Sequence, residues 1–459
     1  MSKYHAYPEY KDSGVEWLGV IPVHWHSTKI KYGYEITLGK MLQKEMKAYD
    51  DELKPYLKAI NIQPEGVWLD VVENMWFSQG DLRSLRLVGG DVLISEGGDV
   101  GRAAIWKDEL PECYIQNAIN RARPLKDRSS SYLYYWMVML KSSGFIDILC
   151  NKATIAHYTA EKLESSQLFI PPFKEAGLIS DFLDHETAKI DTLIEKQQQF
   201  IQLLNEKRQA MISHAVTKGL NTSAKMRESG VLSIGQMPEH WTLKSLSLAS
   251  KKLAVGLAMS VTDCYEEEGI PIIRNQNIKE GYFDGSDMLY LNPVFAEAQA
   301  SKKVKAGDVV IVRTGSNVGL ACCVPDEYDQ CHTFTTLILT PSDELVKEYF
   351  TYCMNSAYGK AEVNRLKFGF GKDNLNVGEL RTMHALLPGV NEQKEIISYL
   401  DQEVAKIELM VKKAHIAIEL MQERRTALIS AAVTGKIDVR DWVAPQARQT
   451  RQTNKEVVA

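Results

Sequence analysis

Mostly apolar residues between positions 187 and 215 recur at gaps that alternate between three and four. One seam position holds Thr187, Ile194, Ile201, Arg208 and Ala215, and the other holds Ile190, Gln197, Leu204 and Met211. The alternation returns at Val404, Val411, Ile418, Arg425 and Ala432, interleaved with Ile407, Ala414, Met421 and Leu428. Four heptads free of Gly and Pro predict a long helix with a narrow apolar seam, as in a coiled coil. Pro171-Pro172 and Pro388-Gly389 precede the two helices, and Gly219 and Gly435 stop them. A helix of ~40 residues extends ~60 Å, longer than a domain of this size is wide, so a stripe that merely covers its own domain does not account for it. The two seams are expected to pair with each other. Gln197, Arg208 and Arg425 are costly seam residues and candidates for setting register.

The stretches before the helices follow a different pattern. Asp91-Val92-Leu93-Ile94-Ser95, Asp308-Val309-Val310-Ile311-Val312 and Thr336-Leu337-Ile338-Leu339-Thr340 are short β-type runs bounded by turn residues. Residues 131–141 and 344–356 are helical in pattern and apolar on one side. Each globular part is expected to be a mixed α/β domain of about 150 residues.

These elements occur twice. Lys11-Asp12-Ser13-Gly14-Val15 matches Arg227-Glu228-Ser229-Gly230-Val231, and the match continues through Gly19/Gly235, Pro22/Pro238, His24/His240 and Trp25/Trp241. Gly90-Asp91-Val92-Leu93-Ile94 matches Gly307-Asp308-Val309-Val310-Ile311. Residues 183–217 and 400–434 agree at 17 of 35 positions at a constant shift of 217. Three ordered blocks at shifts of 216, 217 and 217 mean that the chain is a duplicated unit. The expected division is a first head at 1–172, a central helix at 173–220, a second head at 221–388, a C-terminal helix at 389–436 and a disordered tail at 437–459. The fold class is α+β, with two related heads separated by two long helices in an antiparallel coiled coil. The heads diverge where the helices agree: Asn117-Ala118-Ile119-Asn120-Arg121 stands opposite Phe334-Thr335-Thr336-Leu337-Ile338. Ile155-Ala156-His157-Tyr158 occupies the region of Phe370-Gly371-Lys372-Asp373. A repeated scaffold with dissimilar loops is what two readers of different targets require.

Composition narrows the class. The chain has 459 residues, 45% hydrophobic and 25% charged, ordinary for a soluble globular protein of two or more domains. No apolar run approaches the ~20 residues of a bilayer span, and Met1-Ser2-Lys3-Tyr4-His5 opens no apolar signal core, so a cytoplasmic protein is expected. The seven cysteines follow no disulfide spacing. Cys322, Cys323, Cys331 and His332 lack the geometry of a zinc site, and buried reduced thiols are expected. The net charge of −5 lacks the basic footprint of a nucleic-acid binder, so any DNA affinity must rest on local faces and on partner proteins.

Taken together the motifs resemble the specificity subunits of Type I restriction–modification systems over nearly the whole chain. The resemblance rests on the repeated Gly-x-x-Pro-x-His-Trp entry and the Gly-Asp-Val-x-Ile blocks. It also rests on the Leu-Asp-x-Glu-x-Ala-Lys-Ile helix starts and the Ala-Val-Thr helix ends. It implies two target-recognition domains on an antiparallel coiled coil, reading a split, asymmetric site in double-stranded DNA. It implies assembly with two methylation subunits, which use S-adenosylmethionine, and two restriction–translocase subunits, which use ATP and Mg. No cofactor or metal is expected on this chain.

The residues contain no catalytic machinery of their own. Ile170-Pro171-Pro172-Phe173 has the tail of an amino-methyltransferase motif, but Ile170 accepts no hydrogen bond from the amino group. No Gly-Lys pair is followed by Ser or Thr as a phosphate loop needs, and Pro325-Asp326 lacks a Glu-x-Lys partner. The rival to a DNA reader is a coiled-coil scaffold with two protein-binding heads.

Base readout needs donors and acceptors with reach on loops. In the first head the candidates are Asn117, Asn120, Arg121, Thr154, His157 and Tyr158, with Arg121 equally readable as a strand residue. In the second head they are Lys367, Phe370, Lys372 and Asn374 on a Gly-rich loop, and Arg313, Ser316 and Asn317 on a strand-end turn. That turn reads as an anion nest or as a plain tight turn. His24, Trp25, His240 and Trp241 recur in both heads and are expected to pack. Gln197 and the outer helix faces are candidates for holding the methylation subunits.

Overall fold

A computed structural model describes residues 4–150, 157–367 and 373–443. It divides into two compact units, neither continuous in sequence: Met1–Gln197 with Ile416–Ala459, and Gln198–His415. Each unit holds one head, the beginning of one long helix and the end of the other. The long helices are Phe173–Lys218 and Val390–Val433.

The two heads share one strand plan. In the first, an antiparallel sheet runs in the order Ala103–Ile105, Val92–Ser95, Ile119–Pro124, Tyr34–Leu38. In the second, the corresponding order is Ala321–Cys323, Val309–Ile311, Leu337–Pro341, Ser250–Val255. Each head adds a smaller sheet with one parallel pair: Tyr114–Ile115 beside Glu52–Leu57, and His332–Thr333 beside Ile270–Ile273. In each, a strand entering the long helix pairs with one near the head's start, Gln167–Ile170 with His26–Lys29 and His384–Leu387 with Thr242–Ser245. The helices predicted at 131–141 and 344–356 are Ser130–Ser142 and Lys347–Asn355.

The helix seams follow the heptads. Thr187, Ile190 and Leu204 are buried, as are Val404, Ile407, Ala414 and Leu428. Ile194, Ile201, Arg208, Met211, Val411, Ile418, Met421 and Arg425 are half-buried, with exposed residues between them. In the first unit Ile190 and Ile194 share a core with Met421, Leu428 and Ile429; in the second Ile212 and Ala215 share one with Ile396, Leu400 and Val404. The start of one helix thus lies against the end of the other in each unit, which makes the pairing antiparallel. Arg425 donates from Nε to Asp191 Oδ1 (2.9 Å), an ion pair between the helices that fits a register role. Its repeat mate Arg208 lies 3.8 Å from Glu280 of the second head instead. Among the described residues no helix is long and apolar enough to cross a membrane.

The helix ends are anchored in the same way twice. Glu175 accepts hydrogen bonds from Tyr7 Oη (2.7 Å) and Trp25 Nε1 (2.8 Å), and its second oxygen lies 2.8 Å from His24 Nε2. Glu392 is held by Trp241 Nε1 (3.1 Å) and His240 Nε2 (3.0 Å). Gly435 ends the C-terminal helix at φ +73° against Pro22 and Trp25, where a Cβ would fall 2.3 Å from the Pro22 ring. Gly219 at φ +76° meets Trp241 likewise. Only glycine combines that backbone with that approach. The chain then runs on: Asp438 N–H donates to His5 O, and Ile437, Val439 and Trp442 pack on the first head. Residues 437–442 therefore do not belong to a disordered tail, because they bury apolar side chains.

Removing the buried carboxylate should cost the first unit more than the second. Glu175 is 7% exposed with three partners, whereas Glu392 is 26% exposed with two. Glu175→Ala strands those donors and is expected to destabilise by roughly 3 kcal/mol, with Glu392→Ala nearer 1 kcal/mol. Denaturant unfolding of both variants checks the order; equal losses would refute this ranking.

Candidate nucleic-acid interface

The sequence candidates fall into an interior set and a surface set. Asn120, Arg121 and Tyr158 are 0%, 1% and 0% exposed, which corrects their reading as base contacts. Asn120 Nδ2 donates to Tyr158 O (3.0 Å). Arg121 donates to Ser84 O (2.8 Å) and Thr37 Oγ1 (2.9 Å), and burial pushes its guanidinium pKa down. The Tyr158 hydroxyl pairs with Ser166 Oγ at 2.6 Å, and burial raises its pKa to about 12. These side chains hold the strand Ile119–Pro124 and the approach to the helix in place. Thr154, Phe370 and Lys372 lie outside the described residues.

The surface set converges. In the second head the turn after Val309–Ile311 is joined to the segment before the helix: Leu375 N–H donates to Arg313 O (2.9 Å), and Gly315 N–H to Asp373 O (3.1 Å). Thr314 and Asn374 form a β-bridge. Arg313 donates to Asn376 Oδ1 (2.8 Å), while Ser316 and Asn317 are exposed. Lys367 is already paired with Asp373 (2.6 Å), so its charge is partly neutralised. The structure thus brings Arg313, Ser316, Asn317, Lys367 and Asn374 together.

The first head repeats the staple with other side chains. Tyr158 N–H donates to Glu96 O (3.0 Å), the counterpart of the bond from Leu375 to Arg313. His157 is exposed beside Gly97, and Asn117 is half-buried, its N–H bound to Lys40 O. Asp99 is engaged by Lys141 and Arg102: burial works to raise its carboxyl pKa, but those two cations outweigh it. Glu96 has no such help. Burial raises its pKa, opposed only by His157.

Several buried polar atoms of the two heads lack a described partner. Ser95 Oγ, Glu96 Oε2 and Asn120 Oδ1 in the first head have no hydrogen-bond partner among the described residues. Neither do Asn275 Oδ1, Arg313 Nε, Thr333 Oγ1, Thr336 Oγ1 and Asn374 Oδ1 in the second. Buried polar atoms are normally satisfied, so each of these is an exception within the frame that carries the turns. Sequence reasoning missed Asn275, Thr333 and Thr336, which carry no local motif.

Four of the buried cysteines are unreactive thiols. Cys113, Cys322, Cys331 and Cys353 are buried, and burial pushes each thiol up to about 12, far from a reactive thiolate. His332 Nε2 is bound to Ala296 O (2.9 Å).

Comparison with known proteins agrees with this layout. The model of the Type I restriction modification DNA specificity domain matches residues 22–203 and again 253–420. The chain is 21% identical to the EcoKI specificity subunit of Escherichia coli K12, over 91% of this chain and 90% of that one. It is 20% identical to the EcoBI specificity subunit of Escherichia coli (76% and 73%) and 22% to the MjaVIII specificity subunit of Methanocaldococcus jannaschii (76% and 79%). Among solved structures, a chain from work on complex assembly and conformational transition of the type I R-M system superposes with TM-score 0.65 at 14% identity, covering 91% of this chain and 99% of that one. The HsdS subunit from Thermoanaerobacter tengcongensis does so with TM-score 0.50 at 14% identity, covering 91% and 98%. These superpositions show a shared fold. With the family model matched once in each half, the chain belongs to the Type I restriction–modification DNA specificity family and carries its domain twice.

Proposed function

We propose that this chain is the sequence-reading subunit of a Type I restriction–modification assembly. Each head reads one half of a split, asymmetric site in double-stranded DNA, and the paired helices set the unread spacer between the halves. The observation that carries this reading is the repeated staple, which presents different, unpartnered polar side chains from the same backbone frame in each head. A protein-binding scaffold gives no reason for opposite charges, each with a buried atom lacking a described partner, at the one matched position Glu96/Arg313. Chemistry is assigned to the partners: two methylation subunits binding S-adenosylmethionine, and two restriction–translocase subunits using ATP and Mg. The assembly works in the cytoplasm. Mapping methylated bases in DNA from cells carrying this chain and its methylation partner tests the reading. A single bipartite motif is expected, and methylation without a sequence motif would overturn it.

Two further outcomes follow from the division of labour. The purified chain alone is expected neither to transfer a methyl group from S-adenosylmethionine nor to cleave DNA, in contrast to the complex; turnover by the lone chain would contradict the assignment. The spacer should respond to helix length. One added heptad in each helix, after Gln197 and after His415, keeps both seams in phase and lengthens the pair by ~10 Å. At ~3.4 Å per base pair, the spacer should grow by about three base pairs with both half-sites unchanged. A methylome in which the half-sites change and the spacer does not would refute the ruler.

A further inference from the structure

Glu96 and Arg313 occupy one structural position in the two heads and carry opposite charge. Each follows the sheet strand that begins the turn, Val92–Ser95 or Val309–Ile311. Three backbone bonds repeat around them. Ser95 N–H donates to Arg102 O and Val312 N–H to Leu320 O, both at 2.8 Å; Gly101 N–H donates to Ser95 O and Gly319 N–H to Val312 O, both at 2.9 Å. The third is the staple from Tyr158 to Glu96 and from Leu375 to Arg313. The side chains therefore leave the two frames from the same place. Both are half-buried, and both keep a polar atom, Glu96 Oε2 or Arg313 Nε, without a partner among the described residues.

The sign of the charge decides what such a position does. A carboxylate on a DNA-facing turn is repelled by phosphate, so Glu96 cannot serve as a backbone contact. It can accept from an exocyclic amino group at a base edge, the contact that suits cytosine N4 in the major groove. An arginine at the same position matches the paired acceptors O6 and N7 of guanine. No described donor reaches Glu96 Oε2, and burial raises the carboxyl pKa; a hydrogen bond from an amino group to the half-exposed carboxylate would favour its charged form. We propose that position 96/313 is a specificity-determining position of each head: Glu96 accepts from a base amino group in one half-site, and Arg313 donates to a guanine in the other. This assignment rests on the DNA-reading function proposed above.

The test uses the complex reconstituted with its methylation partner and duplexes in which each base pair of the mapped site is replaced in turn. For the wild type, a wrong pair at a position read by a side chain should weaken binding by about 5- to 150-fold. In Glu96→Gln the penalty should fall at least fivefold at one amino-bearing position of one half-site, and every penalty in the other half should stay. Arg313→Lys keeps the charge but loses the bidentate fork. It should lose the penalty at one guanine of the opposite half-site, with the salt dependence of binding unchanged. Glu96→Asp, which keeps the charge and shortens the reach, should reproduce the loss if Glu96→Gln fails to fold. Penalties that match the wild type at every position, or that fall equally in both half-sites, would overturn the assignment. A wild-type complex with no position-dependent penalty would instead overturn the DNA-reading function itself.

Discussion

A carboxylate drawn away from water needs donors in place of its hydration, and this chain places a carboxylate, buried in Glu175 and half-buried in Glu392, at the start of each long helix. Glu175 and Glu392 are gripped by the His-Trp pair that follows the first strand pair of each head, Tyr10–Asp12 with Val20–Pro22 and Met226–Glu228 with Gln236–Pro238. The same tryptophan lies against the glycine that ends the other long helix, Gly435 for Trp25 and Gly219 for Trp241. Three segments remote in sequence are tied at one point in each unit, and the seat of each head on its helix pair depends on it. Tyrosines of the heads add to the tie: Tyr132 donates to Phe169 O (2.6 Å) and Val433 O (3.2 Å), and Tyr349 donates to Val216 O (3.2 Å). Because both helices enter both units, neither unit is complete from one copy of the repeat.

With the heads seated, the loops are free to differ. The strand order, the parallel pair and the staple before the helix are common to both heads, so the frame supplies position and the side chains supply chemistry. This resolves the tension between a net charge of −5 and contact with a polyanion. Much of the acidity near the first head's turn is already spoken for: Asp99 by Lys141 and Arg102, and Asp91 by Arg123 at 2.7 Å. The partly exposed pairs of Asp99 contribute little stability, whereas Asp91 is buried and needs its partner. The larger effect of these pairs is to neutralise local charge, whereas Glu96 has no such cation bound to it.

What the sequence determined by itself was whatever is periodic or repeated. The heptads from Thr187 to Ala215 and from Val404 to Ala432 specify a seam because a helix places every third or fourth residue on one side, with no reference to the rest of the fold. The constant shift of 217 gave the duplication, and it already aligned Glu96 with Arg313. Tertiary structure alone decided which polar residues face out. Ile119–Pro124 is a central strand with most of its residues buried, so alternation could not tell that Asn120 and Arg121 point inward. The partners that make their burial tolerable, Ser84 O, Thr37 Oγ1 and Tyr158 O, come from segments tens of residues away. Residues 437–442 look like a polar tail for the same reason: Trp442 packs on Phe182 and His185 of the first long helix, and Asp438 binds His5 O at the opposite end of the chain. Local pattern fixes what a segment is, whereas the side a polar residue faces is set by long-range hydrogen bonds that no local pattern records.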